Sequence, residues 1–226
     1  MPTRLVDERF EDVRATDPGQ VIEDFELDRC TFVASRLAQR TDFTPSLVVR
    51  RVNATRCTLD NCLAVGTRFE DVTIDNLVTK GGLLHLRGCV LSHVTIRGRA
   101  GSVIASPPVP RPGEDEVSPE ADRALVEAYE SVDWALDITE AEFVDASLDY
   151  VPGDLVRRNP ETQFLLRRAS LAELQNRPVP DGADLFFRRL EMSPFDSMVA
   201  IAPQRSKQFQ SLLEILQGLR ELGLAE

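Results

Sequence analysis

The sequence has few of the side chains on which catalytic sites depend, and it lacks long apolar runs. Its 226 residues include two histidines, one tryptophan and four cysteines. No catalytic motif or phosphate-binding loop is present, because Gly81-Gly82 stands alone and Pro152-Gly153-Asp154 is typical of a turn. No run of about 18 apolar residues occurs, and the first residues lack the apolar core of a secretion signal. We therefore expect a soluble, cytoplasmic protein that is not an enzyme and needs no cofactor or metal.

The negative charge of the chain is confined to one segment. Residues 1–104 contain 14 acidic and 14 basic side chains, residues 105–154 contain 14 and two, and residues 155–226 contain nine and ten. The formal net charge of −11 argues against direct binding to nucleic acid or to an anionic membrane. Prolines cluster at the start of the acidic segment, which indicates an insertion rather than a strand.

Large apolar residues recur every five positions in the first part of the chain and again beyond the acidic insertion. They are Leu27, Phe32, Leu37, Leu47 and Val52, then Leu59, Phe69, Ile74 and Leu84 in a shifted frame, then Leu91 and Ile96, and finally Ile138, Phe143 and Leu148. Two positions earlier the side chain is usually small, as at Cys57, Val72 and Ala141. A period of five fits neither a helix nor a plain strand. It predicts a coil with flat sides, each of which points one large and one small side chain inward.

This pattern resembles the pentapeptide-repeat family over roughly residues 22–104 and 135–150. The resemblance implies a right-handed quadrilateral β-helix with four pentads per coil. The frame slips by two residues between Val52 and Leu59 and again between Leu84 and Leu91, which predicts bulges or widened corners there. Stacked coils bury their apolar positions only against neighbours, so each end of the column needs a cap.

The predicted fold class is mainly β, with a helical insertion and C-terminal helical additions. We assign residues 1–104 to the β-helix, 105–134 to a Pro-rich acidic insertion with one helix, 135–150 to further pentads and 151–226 to a helical region. Ser118 and Pro119 are typical of an N-cap and first helical position, followed by about 13 helical residues. A second helix is predicted from Asn159 to about Asn176.

All four cysteines, Cys30, Cys57, Cys62 and Cys89, occupy small inward positions of the repeat. This predicts reduced thiols packed in the core. A disulfide and a zinc site are the alternatives, although the second close pair of ligands usual for structural zinc is missing.

The acidic segment is the candidate interaction surface. Its candidate partner-binding residues are Glu127, Glu130, Asp133, Asp137, Glu140 and Glu142. We interpret them as a docking surface for a basic protein partner; the alternative is a solvated or internally paired face. Arginine pairs at 157–158, 167–168 and 188–189 are expected to neutralise part of this segment within the monomer; the alternative is contact with phosphate or nucleic acid.

A final helix, from about Ser206 to Leu222, has a wide apolar stripe. The stripe consists of Phe209, Leu212, Leu213, Leu216 and Leu219. It either caps or packs against the β-helix or forms a homodimer.

The leading functional hypothesis is a non-catalytic protein-interaction scaffold of immunity, antitoxin or regulatory type with an unidentified protein partner. The family resemblance implies an alternative, a DNA-mimicking protein acting on DNA gyrase or another topoisomerase. A further alternative is a solenoid enzyme with carboxylates such as Asp137 and Glu142 on its flank. His85 and His93 fall on outward positions without a nucleophile and are interpreted as surface residues.

Overall fold

The chain is mainly β, as a computed structural model shows for residues 1–17, 19–38, 47–110, 117–173 and 178–226. The strands are β1 (Thr3–Val6), β2 (Arg9–Glu11), β3 (Arg14–Ala15), β4 (Val21–Asp28), β5 (Thr31–Val33), β6 (Arg36–Ala38), β7 (Leu47–Thr55), β8 (Thr58–Asp60), β9 (Leu63–Val65), β10 (Thr67–Lys80), β11 (Leu84–Arg87), β12 (Val90–Ser106), β13 (Leu136–Asp137), β14 (Ala141–Ser147), β15 (Val156–Arg157), β16 (Gln163–Arg167) and β17 (Ser197–Ile201). The α-helices are α1 (Pro119–Tyr129), α2 (Arg168–Glu173), α3 (Asp184–Met192) and α4 (Phe209–Glu221), and a 3-10 turn spans Gly153–Leu155. Among the described residues, no helix is both long and apolar enough to cross a membrane.

Strands β1–β15 form one long, strongly curled parallel sheet. The pairing is local in sequence: Phe69 pairs with Val49, 20 residues earlier, and with Leu91, 22 residues later. The chain therefore returns over itself about every 20 residues. From β1 to β12 the described connections contain no helix, whereas α1 lies in the connection from β12 to its neighbour β13. This arrangement is compatible with a solenoid.

Sharp corners at five-residue intervals curl the sheet. Within the described ranges, eleven residues other than glycine have positive φ, and one series runs through Arg51, Arg56 and Asn61. The left-handed conformation turns the chain at these points, at a cost for most residues that contain a Cβ. Hydrogen bonds to the next coil hold the corners: the N–H of Arg29 donates to the Thr55 carbonyl at 2.9 Å, and that of Arg56 to the Asp75 carbonyl at 2.7 Å. The five-residue period in sequence thus corresponds to one corner per five residues.

The predicted inward side chains line the curled sheet and are half-buried or buried. Phe32, Phe69 and Ile74 are half-buried, and Leu91 is buried. Phe143 and Leu148 are almost completely buried. A continuous apolar cluster runs along this interior and continues into the C-terminal region.

The first frame slip lies elsewhere than the sequence predicts. Leu47 pairs in register with Thr67 and Val52 with Val72, so both occupy small positions. The large positions of that coil are Val49 and Ala54. The prediction that this slip falls between Val52 and Leu59 is therefore wrong, because the frame has already changed before Leu47.

The second slip also lies earlier than predicted. Leu86 pairs with Ala64 and occupies the large position, which leaves Leu84 in the small one. The frame therefore changes between Lys80 and Leu84, at Gly81-Gly82, rather than between Leu84 and Leu91. Both glycines have positive φ, at 67° and 141°, and this widened corner absorbs the extra residues.

The four cysteines are free thiols in the wall of the curled sheet. Cys30, Cys57 and Cys89 are buried and Cys62 is half-buried. The Cys62 Sγ lies 3.4 Å from the Phe32 carbonyl oxygen in the neighbouring coil. Burial raises the pKa of Cys57 to about 11 and that of Cys89 to about 12, which keeps both thiols protonated at neutral pH. The prediction of free cysteines packed in the core is confirmed for Cys30, Cys57 and Cys89, whereas Cys62 is only half-buried.

Helix α1 follows the sequence prediction and covers the edge of β12. The Ser118 side chain accepts a hydrogen bond from the Ala121 N–H, and Pro119 is the first helical residue. Ala121, Leu125 and Tyr129 are buried. The Tyr129 hydroxyl accepts from the Leu91 N–H at 3.1 Å and so satisfies a backbone donor that no further strand reaches.

The C-terminal region caps the curled sheet with a small antiparallel sheet of β16 and β17. Leu165, Val199 and Ile201 belong to the apolar cluster of the curled sheet. Phe164 and Met198, on the opposite face, pack with the cluster that includes α3 and α4. The helix predicted from Asn159 is wrong over Gln163–Arg167, which is a strand; only Arg168–Glu173 is helical, and its predicted end at Asn176 lies outside the described residues.

The apolar stripe of α4 packs within its own chain. Leu216 and Leu219 are fully buried, and Phe209, Leu212 and Leu213 are half-buried against the same cluster. This cluster lies on the face of the small sheet that points away from the curled sheet, so α4 forms an outer layer of the cap.

Candidate functional site

The acidic candidates in the last turn of α1 and at its C-cap are exposed. Glu127 and Glu130 are exposed, and neither side chain forms an ion pair or hydrogen bond with any part of the chain that the structure describes. The buried face of α1 packs against β12. This packing also fixes the positions of Glu127 and Glu130.

Asp133 and Asp137 are instead engaged within the chain. The Asp133 carboxylate lies 2.6 Å from Nε2 of His93. The Asp137 carboxylate accepts hydrogen bonds from the Thr139 N–H at 3.0 Å and the Thr139 hydroxyl at 2.8 Å. These contacts reduce the capacity of both residues to bind a partner.

Glu140 and Glu142 form a second exposed acidic pair, next to and within β14. Glu142 pairs in backbone register with Arg99 on β12, but the two side chains form no ion pair. The six predicted residues therefore do not form one continuous set of free carboxylates. Four remain unpaired among the described residues, in two groups: Glu127 with Glu130, and Glu140 with Glu142.

The predicted neutralisation of the acidic segment by arginines occurs at two points. Arg189 binds Asp149, with Nη2 to Oδ1 at 2.5 Å, and Arg167 binds Asp154 at 2.7 Å. The other arginines of the three pairs have different contacts. Arg158 binds Glu226, Arg168 binds Asp196, Arg188 binds Asp184, and Arg157 stacks on Trp134.

His93 connects the acidic segment to the curled sheet. Its Nδ1 lies 3.1 Å from Asp71 of β10, and its Nε2 contacts Asp133. The hydrogen bond to Asp133, then that to Asp71, raises the pKa of His93 above its usual 6.5. The ring also packs against Trp134 in a tilted arrangement, with ring centroids 4.9 Å apart, and the Arg157 guanidinium lies over the same indole. Sequence reasoning placed His93 on the surface but missed this bridge.

The His93 bridge makes stability depend on pH. Because the pKa of His93 is raised in the folded state, its stabilisation is complete below about pH 6.5 and is lost as the pH rises through the folded-state pKa. Between about pH 6 and about pH 9, we expect wild type to lose more stability than His93→Gln. The difference should be below about 1 kcal/mol, because the 38% exposed side chain is screened by solvent. Urea unfolding of wild type and His93→Gln at both pH values measures this difference in stability.

His85→Gln is the matched control for this prediction. His85 lies on β11, and its ring contacts no carboxylate in the described ranges. The control should therefore retain the wild-type dependence on pH. Equal stability changes for His93→Gln and wild type across this interval would contradict the assignment.

A groove runs along the side of α1 next to Pro194. Its volume is about 530 Å³. The residues that line it are Val117, Pro119, Asp122, Arg123, Val126, Glu127, Glu130 and Pro194. On α1 they follow the spacing of three and four residues that places side chains on one helical face.

Asp122 is the unusual group of this groove. Its Oδ1 atom is buried and accepts no hydrogen bond from the described residues. Burial raises the pKa of this carboxyl group above its usual value. The candidates predicted from the sequence did not include Asp122, Val126 or Pro194.

A second groove, of about 320 Å³, is lined by residues of β1, β4 and β7 and by Arg56. Its lining includes Arg56 and Asp28, which pair with each other at 2.7 Å. The charged side chains that line this second groove balance one another better than those that line the groove at α1. Within the described ranges, no cluster of three or more His, Cys, Asp or Glu side chains is arranged to hold a metal ion.

Neither the models of known protein families nor the curated proteins with which we compared the chain match it. The functional argument therefore rests on the geometry of the chain itself.

Proposed function

We propose that this chain is a non-catalytic protein-interaction scaffold that uses an acidic surface to bind a basic protein partner. The proposed scaffold is a right-handed, pentapeptide-repeat-like β-helix. Support for it comes from parallel coils of about 20 residues and corners at five-residue intervals. Such a column is rigid because each coil buries its inward side chains against its neighbours.

The distribution of paired and unpaired charges is the observation that carries this proposal. On the curled sheet, acids and arginines of adjacent coils neutralise each other, as in Arg29–Asp7 at 2.6 Å and Arg51–Asp24 at 2.7 Å. In contrast, Glu127, Glu130, Glu140 and Glu142 are exposed and have no such partners among the residues that the structure describes. Unpaired like charges repel one another within a monomer, and a basic partner relieves that repulsion and accelerates association.

The paired charges also explain why we favour a scaffold over a mimic of DNA. A DNA-like column needs uncompensated negative charge along its length. The carboxylates of the curled sheet instead pair repeatedly with arginines, as Asp75 does with Arg97 at 2.9 Å.

Charge reversal tests the proposed surface. We expect Glu127→Lys/Glu130→Lys or Glu140→Lys/Glu142→Lys to weaken partner binding at least 10-fold, because rim charges act on association and like charges repel. Affinity capture with the wild-type chain, identification of the retained protein and titration of purified components measure the change.

Glu191→Lys/Glu221→Lys is the matched control, since it makes the same change in net charge at exposed helical positions outside the acidic segment. The control should bind as wild type does. If no partner is retained, or if all three double variants bind equally, the proposed function is wrong.

A further inference from the structure

Helix α1 has two faces with different roles. Ala121, Leu125 and Tyr129 are buried and fix the helix to the rest of the chain. The neighbouring stripe of Pro119, Asp122 and Val126 lines the groove that Pro194 borders from the other side. Because the first face holds the second in place, the groove is built before any ligand arrives, which lowers the entropic cost of binding.

The groove combines apolar walls with an excess of negative charge. Val117, Pro119, Val126 and Pro194 form its apolar lining, and Val126 is 36% exposed. Among the described residues that line it, three of the charged ones are acidic and one, Arg123, is basic and pairs with Glu120 at 2.9 Å. The lining therefore complements a ligand that is both apolar and cationic.

Asp122 strengthens the preference for a cation. A buried carboxylate oxygen without a hydrogen bond is rare in folded proteins and costs free energy. A cation in the groove would favour the ionised form of this carboxyl group by Coulomb attraction, which is stronger where solvent is partly excluded.

We propose that this groove binds a protein segment in which one aliphatic or aromatic side chain is flanked by lysine or arginine. The apolar side chain lies between Val126 and Pro194, and the basic side chains face Asp122 and the Glu127–Glu130 edge. This inference rests on the proposed function and specifies which part of the acidic surface selects the partner.

Two synthetic peptides test the groove directly. Each is a 12-residue Gly/Ser peptide that contains a single central Leu, flanked by Arg in the first peptide and by Glu in the second. We expect the Arg peptide to bind the full chain saturably with a Kd below about 1 mM. We expect no saturable binding of the Glu peptide. Isothermal titration calorimetry measures both, and failure of the Arg peptide to bind would overturn the inference.

Matched variants locate the binding. Val126 and Val144 are almost equally exposed, at 36% and 37%. Val126→Ser should weaken binding of the Arg peptide at least fivefold, whereas Val144→Ser should leave it unchanged. Asp122→Asn should also weaken it at least fivefold, whereas Glu221→Gln, at an exposed position of α4 outside the acidic segment, should leave it unchanged. Circular dichroism verifies that each variant is folded. Equal binding by the Val126→Ser and Val144→Ser variants would overturn the inference.

The charge-reversal experiment separates this inference from the proposed function. If Glu140→Lys/Glu142→Lys abolishes partner binding while Val126→Ser and Asp122→Asn have no effect on it, the groove is not the docking site but the scaffold function stands. If the Arg peptide binds in the groove yet no charge reversal affects a partner, the groove is a binding site and the proposed function is wrong.

Discussion

Replacement of Phe143 by alanine is expected to lower the free energy of unfolding by about 3–5 kcal/mol. Phe143 is completely buried in β14, where it pairs in register with Ala100 of β12. It is one of the large side chains that recur every five residues, and it lies where the curled sheet meets its C-terminal cap. Truncation of Phe143 leaves a cavity. The surrounding structure cannot move to fill this cavity, because backbone hydrogen bonds hold β14 to β12. Urea unfolding of wild type and variant measures the change.

Val144→Ala provides the control at the adjacent position. Val144 is 37% exposed and points to the opposite side of the same strand. We expect its truncation to change the free energy of unfolding by less than about 0.5 kcal/mol. If Val144→Ala destabilised the protein as much as Phe143→Ala, the assignment of fifth positions to the interior would be wrong.

The five-residue period predicted which side chains face inward because it arises from local backbone geometry. Each corner places the chain in the left-handed region once every five residues, so the inward positions repeat at the same interval. The positions of the frame slips could not be predicted in this way. In each pentad the large position and the position two residues earlier both face inward, so apolar residues such as Leu47 and Leu84 fit either frame.

The strand β16 illustrates a different limit. Gln163, Phe164, Leu165 and Leu166 are all buried, because one face packs toward the curled sheet and the other toward α3 and α4. A strand covered on both faces shows no alternation of apolar and polar residues, and a short apolar run does not distinguish it from a buried helix. Phe164 and Leu171 also lie at a spacing that fits one face of a helix, although Phe164 belongs to a strand.

The acidic surface could be predicted in composition but not in geometry. Charge counts located the segment, and the structure shows that Asp133 and Asp137 are occupied by internal contacts. The groove depends on Pro194, about 70 residues beyond α1 in sequence, so no local pattern could reveal it. The cue present in the sequence was the spacing of Pro119, Asp122 and Val126, which places them on one side of a helix.

Loss of the Arg189 side chain should have the second large effect on stability. Arg189 of α3 donates hydrogen bonds to both carboxylate oxygens of Asp149, and its Nη2 also donates to the Ser147 hydroxyl at 2.6 Å. The two charged side chains are only 22% and 17% exposed. Arg189→Met leaves the Asp149 carboxylate poorly solvated and without its cation, so we expect a loss of about 2–3 kcal/mol, toward the range measured for buried pairs.

Arg188→Met is the matched control, because Arg188 is the adjacent residue of α3 and its pair with Asp184 is exposed. We expect a change within about 0.5 kcal/mol for this variant. The double variant Arg189→Met/Asp149→Leu should be more stable than Arg189→Met alone, since it leaves no unpaired carboxylate. Urea unfolding of all three variants distinguishes these cases. Equal stabilities of Arg189→Met and Arg188→Met would show that the Arg189–Asp149 pair does not stabilise the contact between α3 and the chain that follows β14.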